Sequence, residues 1–279
     1  MQAKTGGAMQ MTLAMVISGT VGWPVVALGL PAVTVVFWRC AFGALAMLLV
    51  CALLGQLKRG ALSRRQWGIA ALGGVALVLN WTLLFAAYSQ ASIAVATVTY
   101  HVQPFMLVGL GALFFGERLT ANRLGWLLLA FGGVILIVTG HSGGDPGANY
   151  LLGVLMALGA ALMYAIAAAI VKQLKTLPPQ LLVLIQLSVG AVLLAPFAGF
   201  HTPAAPRDWL LLATLGLVHT GLMSTLLYSA IQKIPTSLVG ALSFIYPAVA
   251  IVVDWAAFGH RLSLLQMLGT AAVLCARQA

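Results

Sequence analysis

The sequence predicts an all-α integral membrane protein of ten transmembrane helices, arranged as two inverted five-helix repeats around a central cavity. Three observations predict it. Of 279 residues, 62% are hydrophobic and only 6% charged, where a soluble domain averages about 25% charged. The apolar stretches run for about twenty residues, the length a helix needs to cross a bilayer, without the alternation of a membrane barrel strand. Two segments 143 residues apart also share a layout. "TVTYHVQPFMLVGLGALFFGERL" (97–119) and "GALSFIYPAVAIVVDWAAFGHRL" (240–262) align without a gap. Pro104 falls on Pro247, Phe115 on Phe258, Gly116 on Gly259, Arg118 on Arg261 and Leu119 on Leu262.

The spans fall roughly at 8–29, 32–55, 66–88, 92–115, 121–140, 150–172, 180–198, 208–231, 235–256 and 262–277. Turn-forming segments separate them, among them Pro31, "QLKRGALSRR", "GERLT", "HSGGDPGAN", "KTLPPQ" and "GFHTPAAPR". The first apolar run exceeds the length of a signal-peptide core and no small-x-small cleavage site follows it, so it reads as an uncleaved span. With the N-terminus inside, Lys4, Lys58, Arg59, Arg64, Arg65, Arg118, Arg123, Lys172, Lys175, Lys233 and Arg277 fall on the inner side. Only Arg207 and Arg261 fall outside. This positive-inside bias predicts both termini in the cytoplasm. It also accounts for the formal charge of +10 without nucleic acid as a partner.

The 143-residue offset covers five spans. Five is odd, so the second half, 150–277, enters the membrane from the opposite side to the first, 8–140. Inverted repeats are the architecture of many secondary transporters, whose binding sites lie near the midplane where the repeats meet. Thr120 and Ser263 close the two matching turns as N-caps for the next helices. Fused halves of this kind predict a working monomer.

Depth along each span, at about 1.5 Å per residue, puts a set of polar and aromatic residues near one level. They are Trp23, Asn80, Trp81, Tyr100, His101, Gln103, Tyr164, His219, Ser243 and Tyr246. Polar side chains at that depth avoid lipid and face the bundle interior or a wet cavity. Three prolines sharpen the level. Within a helix each frees the carbonyl four residues earlier: Pro24 that of Thr20, Pro104 that of Tyr100, Pro247 that of Ser243. Arg39 lies inside the second span, where snorkelling outward or a structural pair is expected. Trp67, Trp126, Trp209 and Trp255 lie near span ends, as interfacial anchors do. His101 and His219 read as buried neutral donors, with proton coupling as the alternative.

The remaining features exclude rather than assign. The four acids, Glu117, Asp145, Asp208 and Asp254, all lie away from mid-depth, so no membrane-embedded carboxylate carries protons or fixes a cation. No metal-ligand spacing, nucleotide-binding loop or zinc-protease motif is present, so neither a cofactor nor an enzymatic activity is predicted. Cys40, Cys51 and Cys275 lie in apolar runs as small hydrophobes. A passive pore is the competing class, but no ring of like charges or carbonyl filter supports it.

Ten spans in two halves, with "FFGERLT" after the fourth and "AFGHRLS" after the ninth, resemble the drug/metabolite transporter superfamily, in particular its EamA-type exporters. His260 departs from the pattern, since the family usually has glutamate there. "TYHVQPF" (99–105) is similar to the YddG group, exporters of aromatic amino acids and of paraquat. The resemblance implies a multi-pass exporter in a bacterial-type plasma (inner) membrane that works by alternating access on a small-molecule cargo; a multidrug or metabolite carrier of the same fold is the alternative. For an amino acid, freed carbonyls and tyrosine faces suit the ammonium group. Asn80, His101 and Gln103 would donate to the carboxylate, and Trp23, Trp81 and Tyr246 would pack on the side chain.

Overall fold

The computed structural model describes residues 2–57, 62–103, 105–106, 121–139, 148–174, 176–198, 205–231, 233–234, 242–243 and 245–275. Pro104, the 116–119 turn and Thr120 lie outside them. The described chain is helical. In order it forms α1 (Gln2–Gly19), α2 (Gly22–Leu28), α3 (Ala32–Leu53), α4 (Arg64–Gln90), α5 (Ile93–Tyr100), α6 (Ala121–Thr139), α7 (Ala148–Gln173), α8 (Pro179–Ala198) and α9 (Pro206–Gly216). A π-helical turn at Leu217–Leu222 then leads into α10 (Met223–Ile231), α11 (Ile245–Phe258) and α12 (Leu264–Cys275). Among the described residues, six segments are long and apolar enough to cross a membrane: Thr5–Leu28, Ala32–Leu53, Arg64–Gln90, Asn149–Val171, Pro179–Ala198 and Pro206–Leu227. The shorter Ile245–Phe258 and Leu264–Val273 are also apolar. Large apolar side chains such as Leu45, Leu49, Leu79, Leu128, Val192 and Leu268 are exposed. A bilayer solvates such a surface and water does not.

Local sequence sets the helix ends. Ser63 accepts from the Gln66 N–H at 3.2 Å while Gln66 accepts from the Ser63 N–H at 2.8 Å, a reciprocal cap that starts α4. Ser263 and Gln266 repeat the device at α12, at 3.2 and 2.9 Å, so Ser263 is the N-cap that its position predicts. Gly29, at φ +60°, closes α2 in the left-handed conformation that only glycine adopts without strain, and Pro31 follows to begin α3.

The helices pair across the halves. α3 packs on α8, α4 on α7, α1 on α10, α6 on α12, and α5 on α11. Moving each helix five spans along the chain returns the same set of pairs. The correspondence holds at single residues. Gly216 approaches α3 so closely that a Cβ there would lie 3.0 Å from the Gly43 nitrogen; 143 positions away, a Cβ on Gly73 would lie 2.9 Å from the Gln186 side-chain nitrogen. Gly153 abuts Gln90 and Ala91, and their counterparts also meet, with the Lys233 ammonium donating to Gln10 at 2.9 Å. Two inverted five-helix halves about a pseudo-two-fold axis therefore organise the fold.

Small residues allow these approaches. At the α6–α12 crossing a Cβ on Gly133 would lie 2.6 Å from the Gly269 carbonyl oxygen, and one on Gly269 would strike the Gly133 carbonyl. At one end of the bundle the Asp254 carboxylate, 1% exposed, accepts from the Ala94 N–H at 3.0 Å and faces His260 Nδ1 at 2.9 Å. It thereby satisfies a free N–H at the start of α5 and meets the positive end of that helix dipole. Tyr150 adds a second tie at this end. It donates to the Ile137 carbonyl at 3.0 Å and accepts from Gln266 at 3.2 Å, joining α6, α7 and α12.

Two stability predictions follow from these contacts. Gly269→Leu should lower the unfolding temperature in detergent, the strain of overpacking being about 1–3 kcal/mol. Gly132→Leu, on an open face, should not. Asp254→Asn should destabilise by about 1–3 kcal/mol, the range for a buried group losing its partner, measured by the same thermal unfolding.

Candidate functional site

The helix breaks gather the polar residues. α1 gives way to α2 at Thr20–Val21, four residues before Pro24, and α5 ends at Tyr100, four residues before Pro104. Pro247 stands third in α11. The Thr20 carbonyl is not free as the proline rule alone predicts, because the Trp23 N–H takes it at 3.3 Å. The chain tightens into a turn and recovers the hydrogen bond. The eighth crossing breaks differently. Where the sequence predicts one straight span, the chain inserts a π-turn carrying His219 and Thr220.

Asn80 is fully buried on α4. Its amide nitrogen donates to the Ala160 carbonyl at 2.7 Å and to the Tyr100 hydroxyl at 3.2 Å. The Ala160 carbonyl fixes the amide orientation, since the reverse flip would set two acceptors face to face. Both amide hydrogens are thereby engaged, and Oδ1 has no partner among the described residues. Asn80 is therefore an acceptor toward any bound molecule, not the carboxylate donor expected from the sequence. Tyr100 meets the Tyr164 ring edge-on at 6.0 Å. His101, buried in the turn after α5, lies 6.3 Å from the Tyr246 ring. Gln103 is half-buried, with Oε1 unpartnered among the described residues. Ser243 is half-buried three residues before Tyr246. Trp23 is 42% exposed on α2, and no hydrogen bond or ring contact joins it to this group among the described residues.

Arg39 departs furthest from expectation. It does not snorkel outward, and it pairs with no carboxylate among the described residues. It is 3% exposed and turns into the bundle, with its guanidinium carbon 4.1 Å from the Trp81 ring centre and 5.4 Å from Phe85. Nε donates to the Thr220 hydroxyl at 2.7 Å and Nη2 to the His219 carbonyl at 3.1 Å. The packing explains the inward turn. Gly43 lies one helical turn below Arg39 and closes on Gly216 just before the π-turn, so α3 is too near the eighth crossing for its arginine to reach lipid. Within the π-turn, Thr220 donates to the Leu215 carbonyl at 2.9 Å. His219 reaches Thr20 through Nε2 at 3.1 Å. The Thr20 hydroxyl also donates to the Ile17 carbonyl at 2.8 Å, and His219 Nδ1 faces the Thr214 carbonyl at 3.3 Å.

One network thus runs from α3 through the π-turn to the break between α1 and α2. Trp81 and Phe85, which flank the guanidinium, lie on α4 with Asn80 and Tyr88, and Tyr88 faces Tyr246. Asn80, Trp81, Tyr100, Tyr164, His101, Tyr246 and His219 accordingly belong to one neighbourhood. The sequence reading passed over Tyr88, which is 3% exposed, stacks on Phe85 at 5.8 Å and faces Tyr246 and Thr97. Its signal was available, because Asn80, Leu84 and Tyr88 repeat every four residues on one face of α4. Trp209, in the first turn of α9, packs its ring edge-on against Trp38 at 4.5 Å. A separate groove of about 970 Å³ between α3, α4 and α8 is lined mainly by leucine, alanine and valine and holds none of these polar residues.

Comparison with known proteins gives consistent results. Residues 5–139 and 151–276 each match the EamA-like transporter family. The chain is 30% identical over 269 residues to the uncharacterized transporter YxxF of Bacillus subtilis, covering 95% of this chain and 86% of that one. It is 30% identical over 192 residues to the pseudopaline exporter CntI of Pseudomonas aeruginosa, covering 68% and 65% of the two chains. A chain of known crystal structure superposes with a TM-score of 0.69 over 98% of this chain and 95% of the other, at 17% identity, a likeness of fold alone. The protein is a multi-pass secondary transporter rather than an enzyme, and it belongs to the EamA-like transporter family.

Proposed function

We propose that the protein exports amino acids, aromatic and other bulky neutral ones, across the plasma (inner) membrane, with both termini in the cytoplasm and a single chain as the working unit. The central cluster is the cargo site in this reading, and the inverted halves rock about it. One observation carries the reading: among the described residues Asn80 Oδ1 is a fully buried acceptor without a partner, on an amide bonded to the Tyr100 hydroxyl, whose ring meets that of Tyr164. An unsatisfied buried acceptor costs about 1–3 kcal/mol, and an ammonium group beside aromatic faces would satisfy it. The "TYHVQPF" likeness to exporters of aromatic amino acids supports the same cargo, and the relative named for pseudopaline export supports an exported metabolite. A paraquat-like dication fits less well, because the fixed charge in the cluster is the cation of Arg39 and no carboxylate joins it among the described residues.

Counterflow of labelled amino acids in proteoliposomes tests the proposal. Phenylalanine, tryptophan and leucine should exchange saturably. Asn80→Leu, Tyr100→Phe and His101→Ala should each reduce exchange, Asn80→Leu by about 10-fold or more, in protein that remains monodisperse. Unchanged exchange in all three would remove the cluster as the cargo site, and channel-like currents would favour a pore. An imposed pH gradient should alter initial rates by less than about twofold, because no carboxylate stands in the cluster to carry a proton among the described residues. A large stimulation would assign that role to His101 or His219.

A further inference from the structure

Arg39 has more binding capacity than the protein uses. Its hydrogen bonds engage Nε and Nη2 with the Thr220 hydroxyl and the His219 carbonyl, both neutral acceptors. Nη1 makes no hydrogen bond among the described residues. The described acids are committed elsewhere: Asp254 to Ala94 and His260, and Asp208 in the first turn of α9. A full positive charge is thus held in the bundle interior without a counter-ion among the described residues. Charges in that setting are ordinarily paired, because removing them from water is expensive and neutral dipoles compensate only in part. Among the described residues the unpartnered polar groups of the cluster are neutral, the Tyr88 and Thr97 hydroxyls and two amide oxygens. Asn80 Oδ1 and, one turn beyond Tyr100, Gln103 Oε1 are acceptors without donors. The cluster therefore offers an unsatisfied cation and separate unsatisfied acceptors, the complement of a molecule with a carboxylate and an ammonium group.

We propose that Arg39 binds the carboxylate of the transported molecule through its free Nη1 edge, held in place by the π-turn at Thr220 and by the Trp81 ring. This deepens the amino-acid reading and rests on it. It also fixes the cargo's orientation, carboxylate toward α3 and the π-turn and ammonium toward Asn80. The π-turn acts as the positioning element. It turns the Thr220 hydroxyl and the His219 carbonyl toward α3 together, which holds one edge of the guanidinium and leaves the other for cargo.

Matched probes that differ only in charge decide the matter: L-phenylalanine, L-phenylalaninamide, hydrocinnamate, which keeps the carboxylate and lacks the ammonium, and phenethylamine, which does the reverse. Binding to the purified full-length protein is read by quenching of intrinsic tryptophan fluorescence, with Trp81 beside the guanidinium. Wild type should bind phenylalanine at least about 10-fold better than its amide. Arg39→Gln should weaken phenylalanine and hydrocinnamate by about 10- to 100-fold, the range for one charge-assisted hydrogen bond, while the amide and phenethylamine stay within about twofold. Thr220→Val keeps the charge but releases the held edge, so phenylalanine and hydrocinnamate should weaken by about 2- to 10-fold, with the amide and phenethylamine within about twofold. Equal binding of acid and amide by wild type overturns the proposal even if Arg39→Gln cannot be purified. So does a parallel loss of all four probes in Arg39→Gln, which would mark a purely structural arginine. If hydrocinnamate binds in an Arg39-dependent way and phenylalanine does not, the amino-acid reading falls and the carboxylate site stands. If neither carboxylate binds wild type, the site falls.

Discussion

Inside a bilayer nothing but the protein itself can satisfy a polar group. Backbone donors and acceptors must be closed within each segment, which leaves helices as the form for this chain. Helices cannot be held together by expelling water from their contacts, so close van der Waals approach takes over. Glycines such as Gly43, Gly73, Gly133, Gly216 and Gly269 stand where helices approach closely. Polar side chains are then driven to the surfaces the helices share. The gathering of Asn80, Tyr100, Tyr246, His219 and Arg39 in one neighbourhood is the outcome of that exclusion as much as of any demand from cargo.

The same constraint explains the division of labour between the two kinds of helix break. Proline breaks occur where the sequence announces them, and the chain repairs them locally, as Thr20 and Trp23 do. The π-turn has no such announcement. It adds a residue to the helical cycle and turns two groups, the His219 carbonyl and the Thr220 hydroxyl, toward a neighbouring helix. Such turns recur at functional positions because they supply side-facing backbone groups that a regular helix keeps for itself.

The gross fold was legible because hydropathy and repeat spacing report directly on what lipid allows. The 143-residue offset, read from five identities, reappears as matched contacts at Gly216 with Gly43 and at Gly73 with Gln186. Ser263 was legible as a cap because capping is local. The site was legible in part. Depth picked out Asn80, Tyr100 and His219, since depth is a property of position in a span. Direction was not legible. Whether Arg39 turns outward or inward depends on how near α3 lies to the eighth crossing, a long-range fact set by Gly43 and Gly216 together. The role of Asn80 likewise depended on the Ala160 carbonyl, eighty residues away, which consumes its donor. Tyr88 was missed for a simpler reason: its place near the end of a span concealed that it shares a helical face with Asn80.

Among the described residues the π-turn sits in only one half. Its counterpart 143 positions earlier is the unbroken middle of α4, and the position matching Arg39 is Leu182. Two identical inverted halves would make the inward- and outward-open conformers degenerate in energy, each the image of the other. A tie that exists on one diagonal and not on its mate lifts that degeneracy. In the proposed rocking cycle, a tie kept in one conformer and lost in the other would favour the first before any cargo arrives.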